Sequence, residues 1–168
     1  RRPCELPPRV LWQDAEAIYL QWVGADGGTI ERVDPRTGKA VWTSPRLRTL
    51  FPLDAQSQRR MLDQIGRPLT IATPTAGTVA LTDLLVALDG NTLVLAERAG
   101  RLASINAGTG AVRYATRTPV DRIYEVAIGA GIIVVGGSTE RQVAPDQPIE
   151  LKPVMASLDA HADRVLSV

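Results

Sequence analysis

The sequence predicts an all-β protein made of three four-stranded antiparallel sheets that follow one another along the chain. Short runs of apolar and β-branched residues alternate with turn signals such as Gly-Ala-Asp-Gly-Gly at 24–28 and Asp-Gly-Asn at 89–91. One turn with its flanking strands also recurs, at 33–42, 105–114 and 158–167. Strands and turns that repeat in this way indicate an architecture assembled from copies of one sheet.

The first copy of the repeated motif, Val33 to Trp42, is predicted to be a strand, a tight turn and a second strand. Asp34 can accept hydrogen bonds from backbone N–H groups two or three residues ahead. Gly38 can adopt the positive φ that a short hairpin loop often needs. Trp42 then places a large apolar ring one strand length beyond the turn, where it can pack against a neighbouring sheet.

The two later copies retain progressively fewer residues of this motif. The second has the turn acceptor as Asn106 and an aromatic residue as Tyr114, whereas the third keeps only the strand and Asp159. We predict that the motif residues form turns and pack neighbouring sheets rather than carry chemistry. These residues are Asp34, Thr37, Gly38, Trp42, Asn106, Thr109, Gly110, Tyr114 and Asp159.

The pattern Asp-x-x-Thr-Gly-x-x-x-Trp at 34–42 resembles the repeat of PQQ-like β-propellers, which quinoprotein dehydrogenases share with BamB-type outer-membrane assembly lipoproteins. The resemblance implies that each repeat is one four-stranded blade, with the motif joining its third and fourth strands. Because propellers close with about four to eight blades, three blades imply part of a larger propeller. The remaining blades or a protein partner would then cover the outermost sheet faces. The resemblance also implies a periplasmic or otherwise extracytoplasmic location.

Blade 1 is predicted to cover 9–43, and blade 2 to cover 78–116. Blade 3 is predicted to cover 122–168 and to contain a polar insert at 138–152, which delays its third strand. The strands expected in blade 1 are 9–12, 17–23, 29–34 and 39–43. The strands expected in blade 2 are 84–88, 92–97, 101–106 and 111–116. The strands expected in blade 3 are 122–128, 132–136, 153–159 and 164–168.

The segment 44–77 does not fit a blade, because its four prolines block central strands. Asp54 is placed to cap a short helix over 55–65, which Gly66 would close. This helix either covers a sheet edge at the rim or docks a protein partner, since long loops on a rigid scaffold often carry function. The candidate docking residues are Arg59, Arg60, Met61, Leu62 and Ile65.

The composition of the chain limits its possible binding partners and its possible cellular compartments. A formal net charge of +1 gives no electrostatic preference for nucleic acid, and no apolar run approaches the roughly 20 residues of a transmembrane helix. The sequence shows no signal peptide, which is consistent both with a leader that has been removed and with a sequence that starts within a longer protein. Cys4 is the only cysteine, which excludes an internal disulfide. It is expected to be a plain residue, with lipid attachment and a redox role as alternatives.

A search for catalytic, cofactor or metal residues yields none that we predict. His161, the only histidine, alternates with Asp159 and Asp163, and alternation in an extended segment could present all three to a metal ion. Asp159 already belongs to the turn motif, so a solvated turn is expected instead. No set of serine, cysteine and histidine residues is spaced for nucleophilic catalysis.

The expected function is therefore a non-enzymatic extracytoplasmic scaffold or protein-binding module, formed as a fragment or subunit of a larger propeller or assembly. The alternative is a fragment of a PQQ-dependent quinoprotein dehydrogenase. Resemblance to those enzymes would imply an active-site calcium held by Glu and Asn, a catalytic Asp and usually a pair of adjacent cysteines. This sequence has one cysteine and no motif that matches the calcium ligands, so no cofactor is expected.

Overall fold

The computed structural model describes residues 7–23, 28–52, 70–73, 77–80, 84–141 and 149–168. The chain divides into two compact units. The first comprises Arg1–Asp83 together with Thr109–Ala111, and the second comprises Leu84–Gly108 and Val112–Val168.

Blade 1 forms the body of the first unit and is one antiparallel sheet in the order β1-β2-β3-β4. Its strands are β1 Arg9–Gln13, β2 Ile18–Trp22, β3 Thr29–Val33 and β4 Ala40–Thr43. A short helix, α1 Leu47–Leu50, follows β4. Further along the chain, β5 Thr70–Thr73 pairs with β6 Gly77–Ala80 in a two-stranded sheet.

The second unit contains two more four-stranded antiparallel sheets, blade 2 and blade 3, in which each strand pairs with its sequence neighbour. Blade 2 consists of β7 Leu84–Asp89, β8 Thr92–Glu97, β9 Arg101–Asn106 and β10 Val112–Arg117. Blade 3 consists of β11 Arg122–Gly129, β12 Ile132–Arg141, β13 Glu150–Asp159 and β14 Val165–Ser167. The predicted fold class, three consecutive four-stranded antiparallel sheets, is confirmed.

The core of the second unit lies between blades 2 and 3. Blade 2 contributes Ala87, Val94, Ala96 and Leu102, and blade 3 contributes Ile123, Ile133, Val135, Ala156 and Leu158. All of these side chains are buried, and burial of such apolar surface is the main favourable term that holds one sheet on the other.

The segment 44–77 differs from its prediction in two places. Helix α1 was not predicted, because its N-cap residue, Arg46, makes no side-chain capping bond and its four residues give no periodic pattern. It is anchored instead by burial of Leu47, Leu50 and Phe51. At the other end, residues 77–80 pair with β5, so the sheet of blade 2 begins at Leu84 rather than at residue 78. The predicted helix over 55–65 lies outside the described residues.

Much of the predicted polar insert at 138–152 is strand. Strand β12 continues to Arg141 and β13 already begins at Glu150, with Ser138 opposite Pro153 and Arg141 opposite Glu150. Residues 150–153 are all exposed, so no alternation of apolar and polar residues marks this part of the hairpin as strand. Glu140 anchors the extension, because its backbone N–H donates to Asp121 Oδ2 at 2.9 Å and its carboxylate accepts from Arg122 Nε.

Candidate functional site

The turn of the first motif is built as predicted. The Arg36 backbone N–H donates to Asp34 Oδ1 at 2.8 Å, and the Gly38 N–H donates to the Asp34 carbonyl at 2.8 Å. Gly38 has a φ of +66°, a conformation that glycine adopts without steric cost. Thr37 Oγ1 accepts from the Lys39 N–H at 3.4 Å. These bonds fix the angle at which β4 leaves the turn, and therefore the position of Trp42.

The other two motifs form comparable turns with different partners. Asn106 Oδ1 accepts from the Gly108 N–H at 3.0 Å, and Gly110 has a φ of +75°. Asp159 Oδ1 accepts from the His161 N–H at 2.9 Å, and its Oδ2 accepts from Arg164 at 3.0 Å. Arg164 thus supplies a side-chain contact in the motif that lacks the Thr-Gly pair.

These turn hydrogen bonds predict a loss of stability in acid. Backbone N–H groups, those of Arg36 and His161 first, hold the pKa of Asp34 and that of Asp159 below the ordinary value of 3.8. A lowered pKa in the folded state stabilises the fold above pH 3.8, and that stabilisation is lost as the pH falls through the folded-state pKa. Asp34→Asn and Asp159→Asn should therefore flatten the acid side of a melting-temperature profile. Profiles that stay parallel to wild type would contradict this prediction.

Trp42 and Tyr114, the aromatic residues of the first two motifs, each contact a residue of the following motif. Trp42 is 9% exposed, and its ring centroid lies 5.9 Å from that of Tyr19. In the same unit, a Cβ on Gly110 would lie 2.7 Å from Trp42 Cδ2, so the ring rests on the glycine backbone. In the second unit, the Tyr114 hydroxyl donates to the Asp159 carbonyl at 2.6 Å.

Tyr114 predicts a second pH effect, on the alkaline side. Burial, aided by the charges of Asp163 and Asp159, raises the pKa of Tyr114 to about 12 from an ordinary value of 10.0. The stabilisation from the neutral phenol is complete below pH 10.0 and is lost as the pH rises through about 12. Tyr114→Phe has no group to titrate, so its denaturant unfolding should lose less stability over this range. Equal losses in the two proteins would contradict this prediction.

A buried serine joins blade 2 to blade 3. The Ser104 hydroxyl donates to the Ala160 carbonyl at 2.6 Å, across 56 residues of sequence. Ser104 belongs to a row of directly paired residues across blade 2, namely Ala87, Val94, Ser104 and Tyr114. This row, which we call the seating row, faces blade 3. Sequence analysis missed Ser104, because a single serine within a strand gives no signal until the strand register is known.

Blade 3 has a row at the same strand positions on its other side, with Ser167 where blade 2 has Tyr114. Its directly paired residues are Ala127, Val134, Ser157 and Ser167, each at the strand position of its counterpart in blade 2. In the neighbouring row, Gly136 and Met155 stand opposite each other where blade 2 has Ala96 and Leu102. We call this side the outer face of blade 3. Leu102 is fully buried, whereas Met155 is 64% exposed.

The structure does not assemble a metal site around His161. The Asp159 carboxylate is engaged with the His161 backbone and with the Arg164 side chain. Among the residues that the structure describes, no group of three His, Cys, Asp or Glu side chains could hold a metal ion. The candidate docking residues Arg59, Arg60, Met61, Leu62 and Ile65 lie outside the described residues. Within the described part of the chain, no helix has the length and apolar character needed to cross a membrane.

Comparison with known proteins places this geometry in context. A family model described as "Outer membrane protein assembly factor BamB" matches residues 26–147. No match was found among the curated proteins.

Three solved structures illustrate the fold. BamB from Moraxella catarrhalis has a TM-score of 0.50 and 14% identity, and the match covers 94% of this chain and 35% of that chain. Quinohemoprotein alcohol dehydrogenase from Comamonas testosteroni has a TM-score of 0.51 and 14% identity, covering 94% and 22%. The Pan2 WD40 domain from Neurospora crassa has a TM-score of 0.53 and 12% identity, covering 99% and 41%. The chain thus spans about a third of the length of the BamB structure, and the shared feature is the propeller fold.

Proposed function

The chain belongs to the family of PQQ-like β-propellers described as outer membrane protein assembly factor BamB, and on this premise we propose that it is a non-enzymatic scaffold that binds protein outside the cytoplasm. It acts as part of a larger propeller or assembly. The observation that carries this proposal is the outer face of blade 3, which repeats three of the four residues of the seating row.

The occupant of the outer face is a further four-stranded sheet of the same repeat class. Ala127, Val134 and Ser157 match Ala87, Val94 and Ser104 residue by residue in strand register. Small residues in the first two strands let a neighbouring sheet approach closely, and the serine hydroxyl can then donate to a turn carbonyl. Ser104 makes such a bond to Ala160, whereas Ser157 pairs with the Ser167 hydroxyl at 2.6 Å. An exposed apolar face of this kind typically marks an interaction surface.

A tandem chain tests this assignment directly. A second copy of residues 118–168 is appended after Val168, so that an added blade follows blade 3 as blade 3 follows blade 2. The reporter is Met155→Cys in the original blade 3 only, in a Cys4→Ser background. The measurement is the rate at which this thiol is modified. Because docking buries position 155, we expect modification to be about tenfold slower in the tandem chain than in the 168-residue chain.

The matched control is Val10→Cys in the same two chains. Val10 is 53% exposed on β1 of the first unit, so its cysteine should react at one rate in both. Equal rates at position 155 in the two chains would overturn the assignment of the outer face. Protection at position 155 that Val134→Asp abolishes would support it, because the charge would lie within the outer face of blade 3.

The scaffold proposal is separated from the dehydrogenase alternative by reconstitution. The purified protein is mixed with pyrroloquinoline quinone and calcium, and the visible spectrum of the protein fraction is recorded after gel filtration. We expect no bound chromophore. One quinone per chain with a stoichiometric absorbance would overturn the non-enzymatic proposal in favour of the enzyme.

Two further parts of the proposal have their own tests. Deleting 55–65 and comparing the proteins that co-purify would test the prediction that this segment docks a partner, which fails if the partners are unchanged. The extracytoplasmic location is supported by the description of the matching family. Fractionation of the producing cell should release the protein with the periplasmic or secreted fraction, and recovery with the cytoplasm would contradict it.

A further inference from the structure

A surface pocket of about 530 Å³ lies at the turn end of blade 1. Its walls come from the loop between β1 and β2, from β3, from the first motif turn and from β4. The lining residues are Ala15, Glu16, Arg32, Asp34, Arg36 and Val41. The volume falls within the range of about 300–1,000 Å³ that is typical of small-ligand sites.

At this pocket, Arg32 differs from the residues at the corresponding position of the other two motifs. It stands two residues before Asp34, and the residues two before Asn106 and Asp159 are Ser104 and Ser157. Arg32 also pairs directly with Tyr19 and Trp42, so it occupies in blade 1 the strand position that Ser104 occupies in blade 2. A large cation therefore stands in blade 1 at the position where the other two blades have a small hydroxyl.

The Arg32 side chain has a donor that the fold does not use. Its Nε is buried and has no hydrogen-bond partner among the described residues. The carboxylate of Asp14 already has hydrogen-bond partners. It accepts from the Glu16 and Ala17 N–H groups at 2.8 Å each and from the Trp12 indole at 3.3 Å. Buried donors are rarely left without a partner in proteins, and leaving one so costs free energy.

We propose that the blade 1 pocket binds a carboxylate, with the Arg32 guanidinium as its recognition group. The planar guanidinium matches the two oxygens of a carboxylate, and charge-assisted hydrogen bonds of this kind are strong. Glu16 and Asp34 line the same pocket; their charges repel any anion, and repel a doubly charged phosphate more strongly than a singly charged carboxylate. The pocket therefore selects a singly charged carboxylate, carried either by a small molecule or by an acidic side chain of a polypeptide.

The side-chain N–H resonance of Arg32 reports on this site without disturbing it. Nitrogen-15-labelled protein is titrated with four probes: acetate, a blocked Gly-Glu-Gly peptide, a blocked Gly-Gln-Gly peptide and inorganic phosphate. The resonance is assigned by its disappearance in Arg32→Lys. We expect saturable shifts with the carboxylate probes only, because a carboxylate bound to the guanidinium changes the chemical shift of its N–H groups.

The variants extend this test. Arg32→Lys keeps the charge but loses the planar fork, so binding of the glutamate peptide should weaken at least about tenfold. Arg48→Lys, a matched change at an exposed residue of α1, should leave binding unchanged. Tighter binding of the peptide than of acetate identifies a polypeptide source, and the reverse identifies a small molecule.

Three results would overturn the proposal. These are an Arg32 resonance unmoved by either carboxylate, an equal shift with the glutamine peptide, and an equal or larger shift with phosphate. The inference is independent of the proposed function, because it involves blade 1 alone and not the outer face of blade 3. Either proposal can therefore fail while the other stands.

Discussion

Trp42→Ala is expected to lower the free energy of unfolding by about 3–5 kcal/mol, the usual cost of truncating a buried tryptophan. The ring is 9% exposed, lies 5.9 Å from the Tyr19 ring and rests on the backbone of Gly110. Removing it leaves a cavity that the sheet cannot close, because Gly110 offers no side chain to fill it. Urea unfolding of the variant and of wild type, compared at equal slope, measures the loss.

The matched control is Trp12→Ala, the same truncation at a tryptophan that is 37% exposed. Its indole donates a hydrogen bond to Asp14 at 3.3 Å, but much of the ring faces solvent, so we expect a clearly smaller loss. Equal losses at positions 12 and 42 would mean that burial of Trp42 does not determine stability. A Trp42→Ala protein that melts within error of wild type would contradict the prediction outright.

Arg101→Met is expected to destabilise the protein by about 3–5 kcal/mol, the range for breaking a buried ion pair from one side. Glu97 and Arg101 stand directly opposite each other on β8 and β9, with Arg101 Nε 3.8 Å from Glu97 Oε2. Their exposed fractions are 3% and 6%. The methionine keeps the apolar stem but removes the cation that faces a buried carboxylate. Chemical denaturation at neutral pH measures the effect.

The double variant Glu97→Gln with Arg101→Met removes both charges, so it should recover much of the lost stability. Lys152→Met serves as the surface control. Lys152 and Glu150 form an ion pair at 3.9 Å with about half of each side chain exposed, and such pairs contribute about 0–1 kcal/mol. A double variant no more stable than Arg101→Met would show that the loss does not come from the charge of the Glu97 carboxylate.

The sequence predicted correctly those features that depend on residues close to one another along the chain. The Asp34 turn, the Gly38 conformation and the successive hairpins depend on residues within a few positions of one another. It failed at α1, which is held by tertiary burial of Leu47 and Leu50 rather than by a cap or a period. It also failed in the extended hairpin at Glu150, where both faces are exposed.

The candidate sites were harder to predict for a different reason. Ser104 meets its acceptor 56 residues away, and the match between the outer face and the seating row depends on strand register. In the sequence alone, nothing distinguishes Arg32 from an ordinary strand residue. Its significance appears only when the serines at its counterpart positions and its buried Nε are known together.

The neighbour-only pairing of strands in every blade has a consequence for how such chains change in evolution. Because every strand pairs only with its sequence neighbours, gaining or losing a blade changes no strand pairing in another sheet. Strand connectivity therefore sets no limit on the number of repeats. The limit comes from the side chains that one sheet presents to the next, and a change at one register position, such as arginine in blade 1 where blades 2 and 3 have serine, alters that surface without altering the strand pairing.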